Sequence, residues 1–335
     1  MKTLTLGKSG PHTSILGLGC MAMSGSYGAT DDTESIATIH AALDASITLL
    51  DTGDFYGMGS NELLIREALK GRKRENAIIS VKFGAMREPS NAWAGFDARP
   101  NAVKNFLSYS LKRLGVEYID IYRPSRLDAN VPIEDTIGAI ADMVKAGYVR
   151  HIGLSEVGVA TIKRAQAVHP ICDLQIEYSI FSRSIEAEIL PACKELGIAI
   201  TAYGILSRGL LSGHFTADRN ITPGDFRKHG PRFQAGNVTR NLELVEKLRA
   251  IAVAKNLTVA QLAIAWVMAR GGNIIPLVGA KTRDRLTESL GALNATLSPA
   301  DLAEIESAVP PDAVAGDRYN EQGMRTLDSE RKSSS

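Results

Sequence analysis

At 335 residues, with 44% hydrophobic and 22% charged side chains, the chain has the apolar content for a large core and the length of either two small domains or one long α/β domain. A net charge of +1 argues against nucleic acid or an anionic membrane surface as a partner. Glycine and lysine interrupt residues 1–8 before a signal-peptide core can form, no run approaches the ~20 apolar residues of a membrane span, and Cys20, Cys172 and Cys193 lack C-x-x-C spacing. The expectation is a cytoplasmic protein with buried thiols.

The N-terminal segment predicts a hairpin of residues 2–6 and 12–14 around Gly7-Lys8-Ser9-Gly10-Pro11, placed to plug a barrel floor. Eight short apolar runs follow, at 15–21, 47–50, 77–83, 118–122, 151–154, 174–178, 199–203 and 274–278, and each reads as a buried parallel strand. Helical patterns lie between them, with starts at Asp32-Thr33-Glu34, Ser60-Asn61-Glu62, Arg99-Pro100 and Pro132-Ile133-Glu134. Eight such units predict a single (β/α)8 barrel over residues 1–311. A loop over 208–238 and an extra helix over 241–255 form a large excursion, read as a lid or substrate loop. Residues 312–335 read as a polar C-terminal tail with a disordered end.

In such a barrel the carboxyl ends of the strands share one mouth. Asp51 and Tyr56 in Leu49-Leu50-Asp51-Thr52-Gly53-Asp54-Phe55-Tyr56-Gly57, with Lys82 at the end of Ile78-Ile79-Ser80-Val81-Lys82, place a carboxylate, a phenol and an ammonium there. A phenol protonates an alkoxide best when a nearby cation lowers its pKa. The strand ends also bring Ser125, Ser155, Glu156, Gln175, Tyr203 and Gly279 to the same side. The loop Gly204-Ile205-Leu206-Ser207-Arg208-Gly209-Leu210-Leu211 offers backbone amides for a pyrophosphate, and Lys281, Thr282 and Arg285 open a helix where a phosphate can sit. Gly17-Leu18-Gly19-Cys20-Met21-Ala22 fits the loose dinucleotide fingerprint, but a flexible segment follows it where a Rossmann turn opens a helix. The six histidines share no metal-binding spacing, so no metal is expected.

From the hairpin to about Val309 the chain resembles the aldo-keto reductase superfamily. The residues that carry the resemblance are Asp51 to Gly57, the Lys82 strand end, Gly153-Leu154-Ser155-Glu156-Val157, Gln175-Ile176-Glu177-Tyr178-Ser179, the Tyr203 loop and the segment 279–289. The resemblance implies NADPH-dependent reduction of a small aldehyde or ketone, with the cofactor extended across the barrel mouth. It makes Tyr56 the general acid, Lys82 the group that lowers its pKa and Asp51 the partner of Lys82. It further implies that Ser155, Glu156 and Gln175 hold the nicotinamide carboxamide and that Tyr203 stacks on its ring. Gly204, Ile205, Leu206, Ser207, Gly209 and Leu211 resemble the pyrophosphate loop. Lys281, Thr282 and Arg285 resemble the clamp on the 2′-phosphate, with Glu288 and Ser289 near the adenine.

One position departs from the family. Where a histidine usually stands, Ile121-Tyr122-Arg123-Pro124-Ser125-Arg126 places Ser125, and Arg123, of the same strand parity, is expected to supply the missing positive field or otherwise to pair with Glu177. Met23, Tyr27, Phe55, Trp93 and Phe96 are candidates for an apolar substrate pocket, with loop packing the other reading for Trp93 and Phe96. The alternatives are the alcohol-oxidising direction, for example on pyridoxine-like or other cyclic alcohols, and a cofactor-sensing subunit similar to the β subunits of potassium channels.

Overall fold

Runs of Val, Ile and Leu without polar alternation have two apolar faces to bury, and a parallel strand buries both when helices cover its sheet. In the computed structural model, which describes residues 1–331 apart from 91, 220 and 223, all eight expected runs form strands and close into a barrel.

A short antiparallel pair comes first, β1 (Thr3–Thr5) with β2 (His12–Ser14). Next come β3 (Gly17–Gly19), α1 (Asp32–Asp44), β4 (Leu49–Gly53), α2 (Ser60–Leu69) and β5 (Ile78–Phe83). Strand–helix alternation does not foretell the hairpin that follows, β6 (Ala85–Arg87) with β7 (Trp93–Phe96). The chain continues through α3 (Pro100–Leu114), β8 (Ile119–Pro124), α4 (Ile133–Lys145), β9 (Val149–Ser155) and α5 (Val159–Val168). Then come β10 (Ile171–Glu177), α6 (Ile189–Leu196), β11 (Ala199–Tyr203), α7 (Asn237–Ala254) and α8 (Val259–Ala269). The last elements are β12 (Ile274–Gly279), α9 (Arg283–Leu290), α10 (Pro299–Ala308) and the short α11 (Glu321–Arg325). The barrel runs β3-β4-β5-β8-β9-β10-β11-β12, and β12 closes back on β3 with Leu277 opposite Gly17.

Local chemistry sets the helix starts. Asp31 accepts from the amides of Thr33 and Glu34 to cap α1, Thr258 and Gln261 form a capping box on α8, and Thr282 caps α9 through the Arg285 amide. Between barrel and helices lies the main core, which includes Ile39, Ile65, Leu107, Ile137, Ile162 and Trp266. Each fully buried aliphatic side chain there contributes roughly 1.5–3 kcal/mol. Leu6 lies instead inside the barrel with Leu49, Ile121, Cys172, Ala199, Ile275 and Leu277, so the hairpin does plug the floor. Gly7 makes that seating possible, because its φ is +65° and a Cβ would fall 2.3 Å from the Cys172 carbonyl oxygen.

The Gly17-x-Gly-x-x-Ala fingerprint forms β3 and a single 3₁₀ turn, Met21–Ser24, so no helix begins there to receive a pyrophosphate. The excursion after β11 folds into three 3₁₀ turns, Ser207–Ser212, Phe226–His229 and Pro231–Phe233, and the extra helix begins at Asn237. Residues 312–331 run back to the barrel mouth, and Gly316 (φ +85°) passes so close to the Pro231 carbonyl that a Cβ would sit 2.8 Å from it. The expected disorder of the tail end falls on 332–335, outside the described residues. Among the described residues no single helix is long and apolar enough to cross a membrane.

Candidate active site

Strand register assembles the centre. Asp51 on β4 stands opposite Ser80 on β5, and Lys82, two residues on, stands opposite Arg123 on β8. The Asp51 carboxylate accepts from Lys82 Nζ (2.5 Å), Ser80 Oγ (2.9 Å) and Gln175 Nε2 (2.6 Å). Asp51 and Lys82 are each 4% exposed, so the pair is shielded from water and held on three sides. Lys82 Nζ also lies 5.1 Å from the centroid of the Tyr56 ring. The Tyr56 segment reaches this position through a turn in which Gly57 and Met58 take left-handed backbone angles.

The electrostatics differ from the expectation that Lys82 lowers the Tyr56 pKa. Burial first, then the charges of Asp51, Tyr27 and Tyr319, push the Tyr56 hydroxyl well above the ordinary phenol value, and Arg126 is the group that draws it down. Burial also lowers the Lys82 pKa, in spite of Asp51. A carboxylate bonded directly to the ammonium cancels most of its field at the phenol. Tyr56 is therefore a neutral hydroxyl that holds its proton across the ordinary pH range.

Arg123 does not reach the substrate side. It is 0% exposed inside the barrel, with Nη1 3.0 Å from Asp173 Oδ2 and Nη2 donating to Ser80 Oγ at 3.0 Å. Its partner is Asp173 and not Glu177, because β10 directs Asp173 into the same interior layer. Through Ser80 it braces Asp51 from below. Glu177 pairs instead with Arg208 (3.2 Å) and Arg232 (3.4 Å).

Of the residues matched to a nicotinamide carboxamide, Gln175 is committed to Asp51, and Ser155 and Glu156 differ in how far their oxygens are already used; Ser125, matched to the histidine position, behaves as Ser155 does. Ser155 Oγ and Ser125 Oγ are buried without a hydrogen-bond partner among the described residues, and an arriving amide or carbonyl would satisfy such orphans. Glu156 is already saturated. Its carboxylate accepts from Arg318 Nη1 and Nη2 (2.9 Å each), Tyr203 OH (2.6 Å), Ser329 Oγ (2.8 Å) and the Glu177 amide (3.0 Å). Burial alone would raise its pKa, but Arg318 holds it at about 2. Glu156 is thus the anchor of the C-terminal segment and has no free oxygen for a carboxamide.

In the Tyr203 loop, Ser207, Gly209 and Leu211 donate their amides inside the turn, to Gly204 O, Leu206 O and Leu206 O. Those three shape the loop and do not offer free donors, while Ile205 and Leu211 side chains enter the core. At α9, Lys281 Nζ donates to Ala29 O (2.7 Å), Arg285 pairs with Glu288 (3.0 Å) and remains half exposed, and Ser289 Oγ donates to Arg285 O (2.9 Å). Gly279 ends β12 opposite Gly19 and is exposed.

Among the pocket candidates, Phe55 packs edge-on against Tyr56 (4.8 Å) and lies 5.9 Å from Trp93, which is 46% exposed with Arg87 over its ring. Phe96 adjoins Trp93 at 6.2 Å. Tyr27 is partly exposed beneath Arg227. Met23 is 1% exposed and packs within the main core.

Sequence reading passed over Ser80, Asp173, Arg126, Arg318 and Tyr319. The last two stand in Gly316-Asp317-Arg318-Tyr319, the one cluster of glycine, charge and aromatic ring in a tail read as polar. Tyr319 OH lies 2.9 Å from Tyr203 OH, and Arg208 Nη1 donates to Arg318 O (2.5 Å). Two open hollows, of about 530 and 460 Å³, lie along α3 and are lined by no residue of this mouth.

Comparison with known proteins adds three findings. The family model described as "Aldo/keto reductase family" matches residues 15–310. A probable aldo-keto reductase 1 from Glycine max is 41% identical over 325 residues, covering 95% of this chain and 92% of the relative. Among solved structures, the glycerol dehydrogenase from Gluconobacter oxydans superposes with a TM-score of 0.83 at 28% identity, covering 92% of this chain and 96% of the other. The holo form of an aldo-keto reductase from Bacillus halodurans does so with a TM-score of 0.76 at 28% identity, covering 93% and 97%.

Proposed function

Because the chain belongs to the aldo/keto reductase family, and so to oxidoreductases acting on carbonyl and alcohol groups, we propose that it reduces an aldehyde or ketone to the alcohol with NADPH, Tyr56 being the general acid. The observation that carries this reading is the buried Lys82–Asp51 pair set beneath the Tyr56 ring at the carboxyl ends of adjacent strands.

Bound NADPH would supply the hydride to the carbonyl carbon. Tyr56 gives its proton to the carbonyl oxygen as that oxygen gains charge. A phenol with a raised pKa still does this, because an alkoxide is a stronger base than a phenolate. The Lys82–Asp51 pair supports the phenol without becoming acid or base itself. Ser155 Oγ, buried and unpartnered, suits one atom of the carboxamide, and Ser125 Oγ suits a water or the substrate oxygen. Preference for the 2′-phosphorylated cofactor follows from Lys281 and Arg285 at the start of α9, where helix dipole and guanidinium fork act together.

The test is NADPH oxidation, followed by absorbance, against aromatic aldehydes, cyclic ketones and pyridoxal, with Tyr56→Phe beside the parent. Parent turnover that falls by about 10²-fold or more in the variant is expected from loss of a general acid. Cofactor binding with no turnover on any carbonyl would overturn the reading.

A further inference from the structure

Arginines gather at the mouth, and all but one of those named here pair with a carboxylate. Arg318 pairs with Glu156 and Glu330, Arg208 and Arg232 share Glu177, and Arg227 pairs with Asp225. Arg126 forms no ion pair with a carboxylate among the described residues. It follows Ser125 in the chain, where β8 opens into the mouth. One guanidinium nitrogen donates to Ser125 O (2.6 Å), and the other reaches Tyr319 OH only at 3.4 Å. Its guanidinium carbon lies 5.8 Å from the Tyr319 ring centre.

None of the Arg126 nitrogens is sealed from solvent without a partner, in contrast to Arg123 Nε and Arg318 Nε. The side chain is half-buried, which strengthens its field while leaving donors open. Tyr56 and Lys82 both respond to its charge, which places it within electrostatic reach of the reacting atoms. Glu156 feels its charge without bonding it directly, so a neutral substrate would leave this guanidinium with no carboxylate in contact among the described residues, whereas an anion would pair with it.

We propose that Arg126 anchors a negatively charged group, a carboxylate or a phosphate, carried by the substrate near its reacting carbonyl. This rests on the carbonyl reductase reading for the reaction, but the binding of the anion does not. An arginine fork donates to two oxygens of either group, and the Tyr319 ring beside it, with Phe55 and Trp93 near Tyr56, suits a flat substrate body between anion and carbonyl. Ser125, next to it in the chain, adds no charge to compete with Arg126.

The experiment is calorimetric titration of the full chain, saturated with NADPH, with benzyl alcohol, 4-(hydroxymethyl)benzoate and 4-(hydroxymethyl)phenyl phosphate, none of which can react with the reduced cofactor. A charged hydrogen-bonded contact predicts that one or both anions bind on the order of 10–100-fold tighter than the alcohol. Arg126→Met should remove at least tenfold of that ratio, and Arg126→Lys should restore part of it. The tighter anion identifies carboxylate or phosphate as the recognised group. Equal affinities in the parent, or a ratio that survives in Arg126→Met, would overturn the proposal. If Arg126→Met loses its folded circular dichroism, Arg126→Gln provides the same comparison. Turnover of aldehydes without an anion preference would overturn this inference alone, whereas the preference without any turnover would leave it standing and overturn the reductase reading.

Discussion

Asp54 stands between Asp51 and Tyr56, and its environment makes it a reporter of this segment. Burial first, then the neighbouring Glu62, raises its carboxyl from 3.8 to about 7, against a weak bond from the Gly84 amide (3.4 Å). A folded-state pKa above the unfolded one means that the folded chain binds a proton the unfolded chain has released. The stabilisation is fully present below about pH 4 and is lost as pH rises towards 7. Glu62, also raised, adds a contribution of the same sign. Asp54→Asn should therefore flatten the fall in unfolding free energy between pH 4 and 7, a slope of at most about 1.4 kcal/mol per pH unit for one proton. Urea titrations at four pH values measure this, and a variant slope equal to that of the parent would show that Asp54 does not titrate there. At the same scale, Arg123 shows how one residue type can have two meanings. Its parity with Ser125 was legible, but the depth at which the side chain stops was not, because that depth depends on Asp173 from a strand about fifty residues away.

Among the elements, α9 is the one whose start was read most directly. Thr282 caps it, Lys281 and Arg285 flank the first turn, and Glu288 pairs with both Arg285 and His214 (3.0 Å each). Arg285 is half exposed, so its pairing with Glu288 contributes little to stability. Charge reversal, Arg285→Glu, should leave the melting temperature close to that of the parent and raise the KM for NADPH at least tenfold more than the KM for NADH. Steady-state kinetics with both cofactors test this, and equal changes would remove Arg285 from the 2′-phosphate site. The β6–β7 hairpin is the contrasting element. Its strands are three and four residues long, with an exposed tryptophan, and so short a piece carries no periodicity to detect. Trp93 is positioned near Phe55 only because this hairpin forms over the end of β5.

At the scale of the molecule, the C-terminal segment ties the barrel mouth together. Arg318 reaches Glu156 across 162 residues of sequence, and the carboxylate is 0% exposed. Removing the cation leaves a buried charge without its main partner, which costs about 3–5 kcal/mol. Arg318→Met should lose that much stability in urea unfolding. The double variant Arg318→Met/Glu156→Gln should recover most of it, since neither charge is then stranded. A single variant as stable as the parent would mean that Tyr203, Ser329 and the Glu177 amide satisfy Glu156 on their own. The same segment carries Tyr319 onto Tyr203, so its loosening should also alter the environment of the mouth.

The eight strands, the barrel they close into, the hairpin on its floor and the meeting of Asp51, Tyr56 and Lys82 are all legible in the order of residues along the chain. Each of these depends on local information: apolar runs of strand length, caps within a few residues, and the rule that parallel strand ends share one face. How the charges pair came instead from the folded barrel. It placed Arg123 below Asp51 on Asp173, bound Glu156 to Arg318, packed Met23 into the core and left Arg126 with no ion-paired carboxylate among the described residues. A buried charge takes whichever partner barrel closure brings within about 3 Å, and that partner lies on a strand or tail whose sequence distance carries no record of the contact.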